Sequence, residues 1–518
     1  MNVTQRTLLS CVVSISIFIS CENESQQIDS TTLSSNTTTS DLLTKSEIDQ
    51  IIYNKLEKNG KFEWNMVDDH VLISALILSD SIASIGYNAT SSDYVNYESF
   101  NQSARSFDET KAKIKAIFAT TSSNRSLSTS TQSQNFLYED KNFPIIDVKI
   151  YNQETLDRVR DVGNIRFIEP VNYTFNESNI TRSNSSLSSG SGCGDVEAQS
   201  IHTNDYVTIS PNALQSWNYT YMNIPQAWNY TTGKNVTIGV IDSGVFQKQS
   251  MLNGHFSISN ANRNVENYGT YVDSWWPWST ETDGVWDKCG HGTQMAGIAT
   301  APRSNKGTPV GVAYDANLIT VRATSNVVLD SYHEQKGVAN ALRLLADRPD
   351  VKIISMSLGH IASVGRIEDA VKYAYAKGKI IVAAGGTSTT FTTWYGVIFP
   401  AWMPETVAVT GITDATDYET CDICHDGKEI DFTIVMQRSG NGNRNALTLP
   451  QNGYGSRYVS GSSAATATFA GISALVWSKY PNESREQILD RLKKAGEFYP
   501  NKNGDYGWGT VDALKAIQ

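Results

Sequence analysis

From about residue 200 onward, short apolar runs alternate with segments of helical periodicity. NVTIGVID, NLITVRA, VKIISMSLG, KIIVAAGG and TVAVTGI read as strands, each short, rich in β-branched residues and bounded by polar or glycine-containing turns. Their apolar positions run nearly without interruption, which predicts burial on both faces. Between them lie stretches such as GRIEDAVKYAYAKG, whose apolar residues recur at helical spacing. Together these features predict an α/β fold, a mostly parallel sheet covered by helices on both faces. In such sheets ligands collect at the carboxyl ends of the strands. Strand-end residues are therefore where chemistry is to be sought.

Upstream, residues 46–175 show a mixed pattern. SEIDQIIYNKLEK and DETKAKIKAIFA read as helices, with a polar insert at 121–134. FPIIDVKIYNQETLDRVRDVGNIRFIEP then reads as strand, short helix and strand, ending at Pro170. This predicts a small α+β domain. Two polar stretches flank it, 22–45 and the Ser/Gly-rich 176–205, read as a flexible tether and an exposed, protease-sensitive linker. At the N-terminus Arg6 precedes TLLSCVVSISIFIS, an uncharged run. It is shorter than the roughly 20 residues a membrane span needs, so residues 1–21 read as a secretory signal. The run closes on FISC, which resembles a bacterial lipobox and makes Cys21 a candidate for lipidation. An ordinary cleaved signal is the alternative.

Length and charge narrow the function. A chain of 518 residues allows about two to four domains. With 42 basic and 53 acidic residues the net charge is −11, which disfavours a nucleic-acid partner, since phosphate binding needs a basic surface. A secreted or cell-surface protein, in one form an outer-membrane lipoprotein, fits better. Of six cysteines, Cys11 lies in the signal and Cys21 at its end. Cys193, Cys289, Cys421 and Cys424 remain, and in an exported chain they suggest two disulfides with three connectivities. We favour Cys421–Cys424 and Cys193–Cys289. The CDICH stretch lacks the second ligand pair that a zinc site needs.

Three segments hold candidate chemistry. VIDSGV ends a buried strand on Asp242, where a charge needs a partner. DKCGHGTQMAGIA sets His291 just before a small-residue helix, and VSGSSAATATFAGISALV sets Ser463 at the start of another. Singly each has a bland reading: a strand-end carboxylate, a structural histidine, a helix cap. Jointly, with glycine beside each, they are far more specific. The segments VIDSGV, HGTQMAG, SMSLG, AAGG and GSSAATATFAG resemble the subtilisin-like serine proteases over about 200–518, in the chain order Asp, His, Ser.

The resemblance implies a subtilisin-like three-layer fold at 206–518 and an exported serine endopeptidase acting through an acyl-enzyme. Ser463 would be the nucleophile, His291 the general base and Asp242 its orienter. Ser357, Leu358 and Gly359 would pair with substrate backbone, and Ala383, Ala384 and Gly385 would line a roomy specificity pocket for large apolar side chains. VKIYNQETLDRVRDVGNIRFIEP resembles the end of a subtilase pro-domain, implying a self-processed precursor inhibited by its own N-terminal domain and cut between about 175 and 205. Protein or peptide substrates, a monomer and no catalytic cofactor are expected. Structural calcium is left open, with Asp273, Glu281 and Asp283 as available carboxylates. A Trp-rich stretch, DSWWPWSTETDGVW, precedes His291 and reads as a packed loop or an apolar wall beside the substrate.

One departure stands out. Where the family carries an asparagine that donates to the oxyanion, the strand ending AAG continues with Gly386. Removing such a donor costs about 10²–10³ in turnover. A nearby group on Thr387, Ser388 or Thr389 could replace it, a backbone N–H could turn in beside that of Ser463, or catalysis could be weak or lost. The last case defines the alternative function, a surface binding protein on a subtilase scaffold.

Overall fold

The computed structural model describes residues 42–89, 97, 107–120, 135–175, 193–194, 196–252, 263–274, 276–277, 279–388 and 396–518. The expected signal with Cys21, the tether as far as residue 41, the insert at 121–134 and the stretch 176–192 lie outside these residues. Leu42 to Gln518 form one unit.

Thr44 starts the first helix, α1 (Lys45–Asn59), with a capping box. The Glu47 N–H donates to Thr44 Oγ1 and the Thr44 N–H to Glu47 Oε2, satisfying amides that a helix start leaves unpaired. There follow α2 (Asp69–Leu78), β1 (Ile82–Tyr87), α3 (Asp108–Thr120), β2 (Phe136–Glu139), β3 (Ile145–Lys149), α4 (Gln153–Arg160) and β4 (Ile165–Pro170). The strands form an antiparallel sheet in the order β2-β3-β1-β4. Ile48, Ile52, Leu72, Ile114 and Leu156 of the helices pack with Ile85, Ile146 and Val148 of the sheet in one core. Fully burying each such side chain stabilises by roughly 1.5–3 kcal/mol.

The larger part contains β5 (Thr237–Asp242), β6 (Val265–Gly269), α5 (His291–Thr300), β7 (Asn317–Arg322), α6 (Tyr332–Ala346), β8 (Val351–Met356), α7 (Gly365–Ala376), β9 (Ile380–Ala384), β10 (Val407–Thr413), β11 (Phe432–Arg438), β12 (Asn441–Thr448), β13 (Arg457–Val459), α8 (Gly461–Lys479) and α9 (Arg485–Ala495). The sheet order is β13-β12-β11-β10-β9-β8-β5-β7-β6. From β11 to β6 neighbours are parallel, and β12 and β13 add an antiparallel edge. Adjacent residues of the apolar strands serve opposite faces. Val240, Ile353 and Val382 join α5 and α8 through Met295, Phe469 and Ile472. Ile241, Ile354 and Ile381 join α6 and α7 through Leu342, Leu345, Ile367 and Val371. This gives helix, sheet and helix layers and explains why the strand sequences do not alternate. Chain order reverses between β5 and β8, so Asp242 and Ser357 leave neighbouring strands at the switch point of the sheet.

The N-terminal sheet lies on α6 and α7. Asp147 of β3 pairs with Arg366 and accepts from Tyr332 Oη at 2.7 Å. Arg166 of β4 forms a bidentate pair with Asp369 at 2.6 Å for both bonds. Arg366 and Asp147 are 1% and 0% exposed, so neither charge tolerates loss of the other.

The described residues from 193 to 204 are mostly exposed, as expected of a linker, but they are also tied to the larger part. Cys193 is bonded to Cys289. The Gln451 N–H donates to the Val196 carbonyl at 2.7 Å and the Gln199 N–H to that of Ser456 at 3.0 Å. Asp205 receives Arg438 and Arg444. Polar composition marks this segment as solvated, and it is mostly exposed, while the two backbone bonds take the place of water at the groups they join.

Candidate active site

Asp242 closes β5 and is 1% exposed. Its Oδ1 accepts the Ser243 N–H at 2.8 Å, and His291 Nδ1 lies 2.9 Å from both carboxylate oxygens. Because a carboxylate only accepts, Nδ1 carries the hydrogen and Nε2 is left with a lone pair. Burial pulls the His291 pKa down, but the Asp242 charge and hydrogen bond raise it further, with Asp287 adding to the effect, so it ends above its ordinary 6.5. Gly292 permits this approach, since a Cβ there would sit 2.3 Å from the Gly244 carbonyl oxygen and 3.1 Å from Asp242 Cβ.

Asp287 holds the start of α5. Its Oδ1 accepts the N–H groups of Cys289 and Gly290, each at 2.8 Å, and its Oδ2 accepts the N–H and hydroxyl of Thr293. Burial nevertheless pushes its carboxyl up. Sequence reasoning passed over Asp287; an Asp shortly before a small-residue helix was the available cap signal.

Ser463 lies in the first turn of α8 and lines a groove with Ser357, Leu358, Gly359 and Phe175. Ser463 Oγ donates to the Ser357 carbonyl at 3.5 Å, and the Ser357 hydroxyl donates to the Ser463 carbonyl at 3.0 Å. Ser463 makes its bond there and not with His291.

Residues 233–509 match the family model described as the subtilase family. The chain belongs to the subtilase family. It is 29% identical over 299 residues to thermitase of Thermoactinomyces vulgaris, covering 57% of this chain and 92% of thermitase. It is also 29% identical over 287 residues to subtilisin E of Bacillus subtilis (strain 168), covering 55% of this chain and 67% of that protein. Among solved structures, fervidolysin from Fervidobacterium pennivorans, a keratinolytic enzyme related to subtilisin, aligns with a TM-score of 0.56 at 18% identity, over 85% of this chain and 61% of its own. That likeness concerns the fold. This subtilase is a serine-type endopeptidase.

Ala384 and Gly386 line the groove of this subtilase. Ala383 packs with Val397 and Ile430, and a Cβ on Gly385 would meet Ile430 at 2.6 Å. Cys421 and Cys424 are also joined, and His425 follows them directly. Asp283 is engaged by Lys288 and Arg322. Among the described residues, no three His, Cys, Asp or Glu side chains group as metal ligands would, and no helix is long and apolar enough to cross a membrane. In the Trp-rich stretch, the Trp276 carbonyl accepts from His333 Nε2 at 2.8 Å.

Proposed function

We propose that this subtilase cuts peptide bonds in protein substrates through Asp242, His291 and Ser463, and that it is made as a precursor held inactive by its own N-terminal domain. The contact of His291 Nδ1 with both oxygens of Asp242 carries this reading. It leaves Nε2 with a lone pair that can take a proton. Ser463 Oγ, turned away from the Ser357 carbonyl, gives its proton to Nε2 as it bonds to the substrate carbonyl carbon. The tetrahedral intermediate collapses when the C–N bond breaks and the leaving amine takes that proton. Water, deprotonated by the same nitrogen, then hydrolyses the acyl ester.

Phe175 supports the precursor reading. It is the last described residue of the N-terminal domain, and it lines the groove together with Ser463. A large apolar side chain already in the groove also agrees with a preference for such residues in substrates. Because Cys193 is bonded to Cys289, a cut between 176 and 192 would free the N-terminal domain while the new terminus stayed anchored beside His291. Export and lipid attachment at Cys21 complete the proposal and rest on the N-terminal sequence.

A binding protein on this scaffold is the second reading, favoured by Gly386. The two part in one experiment: the processed wild type should digest an unstructured protein, while Ser463→Ala should remain full length and digest nothing. Processed wild type without hydrolysis would favour binding, and normal maturation of Ser463→Ala would refute self-cleavage.

A further inference from the structure

Beyond β9 the chain continues with a glycine doublet, Gly385-Gly386, and Gly386 and Thr387 line the groove with Ser463. Gly386 has φ +132°, a conformation glycine adopts without steric cost. A glycine doublet also has the most backbone freedom to lose, so its single conformation depends on contacts from neighbouring segments. One such contact is His425. A Cβ on Gly386 would sit 2.4 Å from His425 Nδ1 and 3.0 Å from His425 Cγ, so the imidazole fills the direction a side chain would take.

His425 directly follows a turn closed by the Cys421–Cys424 bridge. On one side this turn is fixed to β10. The Cys421 N–H donates to the Gly411 carbonyl at 3.1 Å, and Thr410 Oγ1 donates to the His425 carbonyl. On the other side it pairs with the loop after β9. Cys424 and Thr387 form an antiparallel bridge, the Ser388 N–H donates to the Ile423 carbonyl at 2.6 Å, and the His425 N–H donates to the Gly386 carbonyl at 3.0 Å. Loop 386–388 is tied in turn to the first turn of α8. The Gly386 N–H donates to Ser462 Oγ and the Ser462 N–H to Thr387 Oγ1, each at 3.1 Å. A continuous run of bonds, each given by a backbone N–H, therefore leads from the disulfide turn to the residue before Ser463. The bridge is also too short to act chiefly on the whole chain. It spans 3 residues, whereas Cys193–Cys289 spans 96. The unfolded-chain entropy a disulfide removes grows with the loop it closes, so the effect of Cys421–Cys424 is mainly local.

We propose that Cys421 and Cys424 are positioning residues for the peptidase reaction: their bridge sets the turn that holds loop 386–388 against the start of α8, and opening it slows the chemistry at Ser463 without unfolding the enzyme. The inference rests on the endopeptidase mechanism above. Dithiothreitol opens the bridge by thiol–disulfide exchange. Its thiolate attacks Cys424 Sγ, on the more exposed of the two residues, the S–S bond breaks, and Cys421 leaves as a thiolate that takes a proton. The second thiol of the reagent then displaces Cys424 as a thiol, and the reagent closes to its cyclic disulfide.

The test compares mature wild type and Cys421→Ala/Cys424→Ala on one peptide substrate, each with and without dithiothreitol. Melting temperatures verify folding, and alkylation with mass spectrometry gives the reduced fraction of each cysteine. A variant that fails to self-process is matured by added wild-type enzyme, which is then removed through an affinity tag. Reduction should lower wild-type kcat on the order of 10²-fold, change KM far less, and slow fluorophosphonate labelling of Ser463 in parallel. The loss should follow the alkylated fraction of Cys421 and Cys424 and reverse on reoxidation. The double variant should start at the reduced level and respond little to the reductant, although it retains Cys193–Cys289. Full kcat in the double variant, a loss that follows alkylation of Cys193 and Cys289 instead, or a loss equal to the unfolded fraction would overturn the assignment. Oxidised, folded and processed wild type with no turnover would instead overturn the endopeptidase mechanism beneath it.

Discussion

His291 Nδ1 lies 2.9 Å from both carboxylate oxygens of Asp242, although the residues come from a strand end and a separate helix. This contact fixes the tautomer that leaves Nε2 free to accept a proton. Asp242→Asn keeps the shape but replaces one acceptor by a donor, which favours the wrong tautomer. We expect kcat to fall on the order of 10⁴-fold with nearly unchanged melting temperature, measured by peptide hydrolysis and calorimetry.

The same contact sets a pH limit. His291 acts as a base only when neutral, and its pKa is raised above 6.5. The acid limb of kcat/KM should therefore have its midpoint above 6.5 and move down in Asp242→Asn, as a pH–rate profile would show. For stability the sign is the reverse: a raised histidine stabilises fully below the unfolded value and loses that contribution as pH rises through the folded one.

Gly386→Asn tests the His425 wall. The new Cβ would fall 2.4 Å from His425 Nδ1, on a backbone at φ +132°. Melting temperature should drop, by about 1–3 kcal/mol in stability, and kcat should not rise. A gain in kcat would show that the loop opens to admit a carboxamide.

The domain interface makes its own prediction. Glu169 is buried and accepts the Gly365 N–H at 2.9 Å; burial foremost pushes its carboxyl from 4.5 up to about 8. Its contribution is thus most favourable below 4.5 and is lost as pH rises towards about 8. Glu169→Gln keeps an acceptor without the charge. The inactive Ser463→Ala precursor should melt higher with Glu169→Gln than without it at pH 8.5 or so, and the gain should vanish at acid pH.

Much of this was legible along the chain. Strands β5, β8 and β9 are uninterrupted β-branched runs because alternate residues feed two cores, and Asp242, His291 and Ser463 sit beside glycines that admit close backbone approach. Other features lack a local signal. VLISALIL in α2 is apolar around its circumference and shows no helical period. The His425 ring reaches Gly386 only because β10 and the Cys421–Cys424 turn fold back on the end of β9. The docking of residues 193–205 depends on partners such as Gln451 and Ser456, far away in sequence.

The most direct measurement is the mapping of a fluorophosphonate adduct on the processed wild-type enzyme by peptide mass spectrometry. The triad account predicts one adduct, on Ser463, that disappears in Ser463→Ala and is greatly slowed in His291→Ala. An adduct on Ser460 or Ser462, or labelling as fast without His291 as with it, would contradict it.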